Sequence, residues 1–246
     1  MKLSVCIPMY NEGAIIGQTA CKLSSYLCER FEDYEILFSN DGSTDGCERI
    51  VEELGLSGVR VVGYAQNRGK GSAVRTAMLA AEGDWILFTD ADLAYGLDVI
   101  ETLVKAIESN PDAAVVIGSR NLHRDGYESY TLSRKIASKA YIKVICAVGG
   151  IKLSDSQCGF KAFRRDAAKE IFSRCEVDGF AFDFEALLWA KELGYRVCEM
   201  PVKVINHRES KVHLISDAAR MLKDLLRMKK RIRRAARQQR KTSEEK

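Results

Sequence analysis

Asp90 and Asp92 stand one residue apart, just beyond the apolar run of residues 85–89. Two carboxylates at i and i+2 on leaving a buried strand can face one divalent cation. Mg2+ takes one or two protein carboxylates and completes its octahedron with water and phosphate oxygens. Such an ion would bridge a diphosphate and neutralise charge on a departing nucleotide. The same triplet also builds an Asx-turn and a helix cap, so spacing alone leaves both readings open. Two more polar clusters follow apolar runs, Pro8-Met9-Tyr10-Asn11-Glu12 and Asn40-Asp41-Gly42-Ser43-Thr44-Asp45. In the second, Asp41-Gly42 reads as a turn and Ser43, Thr44 or Asp45 as a helix cap. A carboxylate left facing a crevice there could accept a hydrogen bond from a nucleobase N–H. Asn67-Arg68-Gly69-Lys70-Gly71-Ser72 is a Gly-rich turn opening a helix, without the spacing of a P-loop. Its Lys70, and Arg75 beyond it, are either cations for phosphates or solvated helix-face residues.

These clusters need a scaffold that gathers strand ends. Apolar, β-branched runs predict strands over residues 3–7, 35–38, 59–64, 85–89 and 113–117. Helical periodicity predicts helices over 14–30, 44–54, 72–81 and 97–108. Strands separated by helices imply right-handed crossovers and a mostly parallel sheet covered on both faces. Ligands of such sheets bind outside the carboxyl ends of the strands, where all three polar clusters fall. The second half alternates less strictly: helices over 132–148 and 182–193, a short strand over 160–163, and a closing strand over 196–204 whose Pro201 suits a sheet edge.

At 246 residues, 46% apolar and 29% charged, the chain has the composition of a folded globule, not of a disordered or fibrous protein. It holds no 18-residue apolar window and no secretory leader, so a cytoplasmic protein is expected. The eight cysteines are scattered, with no CxxC pair and no His at zinc spacing, and read as reduced. Charge is uneven. Residues 220–241 carry eleven Lys/Arg and one Asp, a local +10; against the chain's total of +4 that leaves −6 for the rest. In this tail Met221, Leu225, Met228, Ile232 and Ala235 recur at helical steps. A basic amphipathic helix suits an anionic membrane surface. The alternatives are packing of the stripe on the globule, and nucleic acid, which the lack of interleaved aromatics disfavours.

The ordered motifs resemble a known family. Pro8-Met9-Tyr10-Asn11-Glu12, Asn40-Asp41-Gly42-Ser43, Asn67-Arg68-Gly69-Lys70-Gly71, Asp90-Ala91-Asp92-Leu93 and Gly118-Ser119-Arg120 are similar to those of the family 2 glycosyltransferases of the GT-A fold. Asp155-Ser156-Gln157-Cys158-Gly159-Phe160-Lys161, Phe182-Asp183-Phe184-Glu185 and Ser210-Lys211-Val212 resemble the branch that glucosylates or mannosylates dolichyl and other polyprenyl phosphates. The resemblance implies a catalytic domain over residues 1–212 and a basic, membrane-surface tail over 213–246. It implies that Pro8, Tyr10, Glu12 and Asp41 line the nucleotide pocket, with Lys70 and Ala91 beside the donor. Asp90 and Asp92 would hold Mg2+ or Mn2+. Arg120, Arg134 and Lys211 would meet phosphates of donor or acceptor. Gln157, Lys161, Asp183 and Glu185 would border the sugar and acceptor pocket, with Asp183 as a candidate catalytic carboxylate. Three departures stand out: Asn40 replaces the Asp of many relatives, the segment between Val204 and Lys211 looks short, and a transmembrane helix is missing.

The expected activity is inverting, metal-dependent transfer of a hexose from a nucleotide sugar to a polyprenyl phosphate, with UDP-glucose ahead of GDP-mannose. Transfer to a polysaccharide, glycolipid or protein hydroxyl is the second reading, and there a carboxylate base is required. The third is a nucleotide-sugar binder without turnover, which the intact Asp90 and Asp92 count against. The expected partners are the nucleotide sugar, the lipid phosphate and an anionic membrane on its cytoplasmic face, and no nucleic acid.

Overall fold

The computed structural model describes residues 1–127, 132–205 and 225–235. Alternating runs fold as the α/β pattern requires. β1 (Leu3–Met9), β2 (Tyr34–Asp41), β3 (Val59–Tyr64) and β4 (Trp85–Phe88) are separated by α1 (Gly13–Arg30), α2 (Cys47–Glu53) and α3 (Lys70–Ala80). α4 (Val99–Ser109), β5 (Val115–Ser119), α5 (Leu132–Gly149), β6 (Lys161–Arg164), α6 (Arg165–Phe172), α7 (Phe182–Glu192) and β7 (Val197–Pro201) follow. One seven-stranded sheet has the order β3-β2-β1-β4-β6-β5-β7. β6 runs antiparallel to β4 and β5, and the other pairings are parallel. β2 and β4 flank β1, so the order reverses direction at β1 and opens a crevice at the carboxyl ends of these strands.

Side-chain alternation divides the interior in two. Leu3, Val5, Ile7, Ile36, Phe38 and Leu87 pack with Ile16, Leu23 and Leu27 of α1 on one face. Cys6, Leu37, Ile86 and Phe88 point to the other, against Val74 and Ala77 of α3 and Phe182, Leu187 and Trp189 of α7.

Four differences from expectation have physical causes. β2 does not stop at Phe38; Asn40 and Asp41 pair with Gly63 and Tyr64 and are buried strand residues. α6 was not anticipated, although Ala167, Ala168, Ile171 and Phe172 form a buried face at helical spacing. β7 ends at Pro201, and its place at the sheet's edge accommodates that proline. The tail also departs from a separate membrane-surface segment. Residues 225–235 are helical, and Leu225, Met228 and Ile232 join the core beside α5 and α7. The described part of the apolar stripe expected at a membrane is therefore used inside the globule, and Met221 and the rest of the tail lie outside the described residues. Among the described residues, no helix is long and apolar enough to cross a membrane. All eight cysteines are free.

Gly63 shows how tightly β2 and β3 approach. Its φ is +151°, and a Cβ there would lie 2.3 Å from the carbonyl oxygen of Asn40. Gly63→Ala is expected to cost roughly 2 kcal/mol or more, read as a lower midpoint in urea unfolding.

Candidate active site

The centre of the crevice is the end of β4. Asp90 follows the strand by two residues, and its side chain is 31% exposed. Lys70, the first residue of α3, pairs with Asp90 Oδ1. On the other oxygen lies the backbone of Gly159, where a Cβ would stand 2.5 Å from Asp90 Oδ2. Asp92 Oδ1 accepts the Ala94 N–H at 3.1 Å, and Leu93 takes a left-handed φ of +49°. The expected Asx-turn and the two carboxylates thus coexist. Burial opposes the charge on Lys70, but Asp90, then Asp183 and Asp92, outweigh it and hold its pKa above the ordinary lysine value.

The residues present fit a hard divalent cation. Two carboxylates at one strand end are the protein share of a Mg2+ or Mn2+ site that takes its remaining oxygens from water and phosphate. Gly159 leaves room for the Asp90 carboxylate where any side chain would intrude. Among the described residues no third His, Cys, Asp or Glu joins Asp90 and Asp92 to enclose a cation. This suits an ion completed by its substrate. Gly159→Ala is expected to shift Asp90 and lower kcat/KM for the donor roughly 10-fold to 10²-fold, with the melting temperature little changed.

Asp183, in the first turn of α7, is buried behind this cluster. Burial raises its pKa, Lys161 and Lys70 oppose that rise, and the net direction is upward. Lys161 Nζ stands 3.1 Å from Asp183 Oδ1, an ion pair whose angles fall short of a hydrogen bond. This corrects the place expected for Lys161. It is fully buried on β6, donates to the Cys158 carbonyl and neutralises Asp183 from below, out of reach of an acceptor phosphate.

The ends of β1 and β2 form the adjoining wall. Tyr10 is 47% exposed at the mouth, Pro8 and Glu12 are half-buried, and the Glu12 carbonyl accepts the N–H groups of Ile15 and Ile16. Asn11, at φ +53°, ties this loop to the next by donating its N–H to Ser43 Oγ and accepting the Thr44 N–H. Asp45 caps α1 and α2 together, accepting the Gly13 N–H at 2.7 Å and the Cys47 N–H at 3.1 Å. Asp41 is only 3% exposed. Its carboxylate accepts Tyr64 Oη at 2.7 Å, Asn67 Nδ2 at 3.1 Å, and the N–H groups of Arg68 and Gly69 at 2.9 Å each. The structure therefore places Asp41 as the anchor of the Asn67–Gly69 turn that presents Lys70. Burial and the bond to Asp41 together push Tyr64 up to about 12. Sequence reasoning missed Tyr64, whose alternation on β3 gave no sign of it.

On the far side of β4, Arg120 and Asp155 form a buried pair with Nε–Oδ2 at 2.6 Å and Nη2–Oδ1 at 2.9 Å. Gln157 lies on the loop that Asp155 holds, its N–H 3.2 Å from Asp155 Oδ1, and its Nε2 is buried without a partner among the described residues. Ala91 is buried, its carbonyl accepting Thr19 Oγ1 at 2.7 Å. Arg75, half-buried, pairs with Asp178 at 2.5 Å. The side chain of Arg134 and all of Lys211 lie outside the described residues.

With the geometry in place, comparison with known proteins decides the family. The model of "Glycosyl transferase family 2" matches residues 4–172. The dolichyl-phosphate beta-glucosyltransferase of Saccharomyces cerevisiae is 34% identical over 243 residues, spanning 91% of this chain and 73% of the relative. The chain belongs to glycosyl transferase family 2. The Homo sapiens dolichyl-phosphate beta-glucosyltransferase is 31% identical over 242 residues, 92% of this chain and 74% of that one. Among solved structures, glucosyl-3-phosphoglycerate synthase from Mycobacterium tuberculosis with UDP superposes at a TM-score of 0.68, with 21% identity over 93% of this chain and 80% of that one. The same synthase with Mn2+, UDP and phosphoglyceric acid gives 0.66, with 22% identity over 93% and 78%. The family 2 chain thus has the GT-A architecture, and it is a glycosyltransferase.

Proposed function

We propose that this family 2 enzyme transfers glucose from UDP-glucose to a polyprenyl phosphate, with inversion, using Mg2+ or Mn2+ held by Asp90 and Asp92. The observation that carries this reading is the carboxylate pair at the end of β4 with the Lys70 ammonium against it, in a chain 34% identical to a protein named dolichyl-phosphate beta-glucosyltransferase. When bound, the ion supplies Lewis acidity to the donor's diphosphate. Lys70, kept charged by its three aspartates, adds a cation where the leaving group develops negative charge. Exposed Tyr10 with half-buried Pro8 and Glu12 offers the wall for the nucleotide. A phosphate monoester has a second pKa near ~6 and is largely dianionic at neutral pH, so it attacks the anomeric carbon without a strong base. Asp183, paired with Lys161, is then not required as a base.

The lipid phosphate would be met at a membrane surface. α5 contains no Asp or Glu, and its outer face carries Ile136, Ala140, Val144 and Ala147 with Lys139 and Lys143. The helix of residues 225–235 exposes Leu226, Arg227, Lys230, Arg233 and Arg234. Each cation near an anionic leaflet contributes on the order of 1 kcal/mol, so these faces support a peripheral location on the cytoplasmic side.

The test is transfer of radiolabelled sugar to a short-chain polyprenyl phosphate, comparing UDP-glucose with GDP-mannose and Mg2+ with EDTA. Labelled lipid from UDP-glucose that disappears with EDTA is the expected result. Product from GDP-mannose alone would overturn the donor, and product with only a hydroxyl acceptor would overturn the acceptor class.

A further inference from the structure

The C-terminal helix is tied to the donor site through buried charge. Its Arg231 guanidinium bridges Glu176 and Glu185. Glu185 is fully buried in the first turn of α7, two residues beyond Asp183. The same carboxylate accepts the N–H of Glu176 at 3.0 Å and of Val177 at 2.8 Å. On the α7 side the segment 176–178 is therefore held by one carboxylate, which pairs with Arg231. That segment in turn holds the start of α3. The Asp178 carbonyl accepts the Gly71 N–H at 2.7 Å and the Ser72 N–H at 3.3 Å, and the Asp178 side chain pairs with Arg75. A Cβ at Gly69 would lie 2.5 Å from the Asp178 carbonyl oxygen, and one at Gly71 2.4 Å from that of Val177. The two backbones are in direct contact there. Between these glycines stands Lys70, on Asp90.

We infer that the C-terminal helix is part of the catalytic apparatus and that Arg231 is a positioning residue, setting Lys70 against Asp90 through Glu185 and the 176–178 turn. This rests on the donor-site reading of Asp90 for its catalytic meaning, but the mechanical coupling does not. Leu225, Met228 and Ile232 hold the helix on the core independently of Arg231. Loss of the guanidinium thus leaves the helix docked and Glu185 with a buried charge that, among the described residues, two N–H groups offset. Water must then enter, and the turn above α3 loosens. A lysine at the position restores charge but cannot bridge both carboxylates.

The experiment is hydrogen exchange by mass spectrometry on the full chain, comparing wild type with Arg231→Met and Arg231→Lys, alongside kinetics. In Arg231→Met, peptides covering residues 69–75 and 175–180 should exchange about 10-fold faster or more while β1 and β2 are unchanged. KM for UDP-glucose should rise about 10-fold with the acceptor KM unchanged, and Arg231→Lys should fall between. Unchanged exchange at residues 69–75 in Arg231→Met overturns the inference. Should Arg231→Met fail to fold, Arg231→Lys decides: a rise confined to the two segments supports the coupling, and wild-type exchange and KM overturn it. Exchange needs no substrate. A local rise in a chain whose wild type transfers no hexose would refute the donor reading and leave the coupling standing.

Discussion

Asp90→Ala is expected to lower glucosyl transfer roughly 10²-fold to 10³-fold at saturating donor, the range seen when one preorganised electrostatic contact to a developing charge is removed. Three consequences coincide at this side chain. One of the two carboxylates that would hold the cation is gone. Lys70 loses the partner that both orients it and does most to hold its pKa up. The space that Gly159 keeps clear is left without its carboxylate. Stability should change little, because Asp90 is 31% exposed at a strand end and supports no core packing. Lys70→Met, which keeps both carboxylates and removes only the added cation, should cost less than Asp90→Ala. Initial rates, thermal melts and UDP titration with and without Mg2+ separate these effects. Asp90→Ala activity within 10-fold of wild type would remove the site from the chemistry.

The parts of this site that could be read from the sequence are those set by local pattern. β3 was placed to the residue, and the apolar runs of β1 and β4 put the Tyr10 and Asp90 clusters at one sheet edge. What escaped depends on distant partners. Asn40 and Asp41 look like loop residues because a polar pair seldom ends a buried strand. They are buried because Glu48, Tyr64, Asn67 and the Arg68–Gly69 backbone satisfy them, from as far as 28 residues away. Lys161 reads as a ligand-facing cation for the same reason, since nothing local announces that Asp183 and the Cys158 carbonyl will meet it inside the fold. The antiparallel direction of β6 is likewise a property of the whole sheet. α6 is only eight residues long, without a side-chain cap, and two turns seldom stand out by periodicity. In the tail the stripe was legible but its counterpart was not. A row of Leu225, Met228 and Ile232 among arginines fits a membrane and a core equally well until the fold brings the buried cluster that includes α7 to it.

Arg120→Met should destabilise the chain by about 3–5 kcal/mol, the cost of leaving one member of a buried ion pair alone. Arg120 is 8% exposed and Asp155 not at all. Burial works against the guanidinium, but the bonds to Asp155 more than offset this and hold its pKa well above the usual value. Removal strands a carboxylate that also accepts the backbone N–H of residue 120 at 3.1 Å and of Gln157 at 3.2 Å. For a chain of this size each kcal/mol moves Tm by about 2–4 °C, so a fall of roughly 10 °C is expected. A residue that only grips a substrate phosphate behaves otherwise, raising KM and leaving Tm in place. The double replacement Arg120→Met with Asp155→Leu should recover much of the loss, because an apolar pair replaces a buried ionic one at little net cost. Urea unfolding and thermal melts of the two variants and wild type make the comparison, and a single Arg120→Met melt within 2 °C of wild type would overturn the structural role of the pair. Activity should fall as well, at temperatures where the variant is still folded. Asp155 holds the start of the loop that reaches Gly159, and Gly159 is the surface on which Asp90 rests.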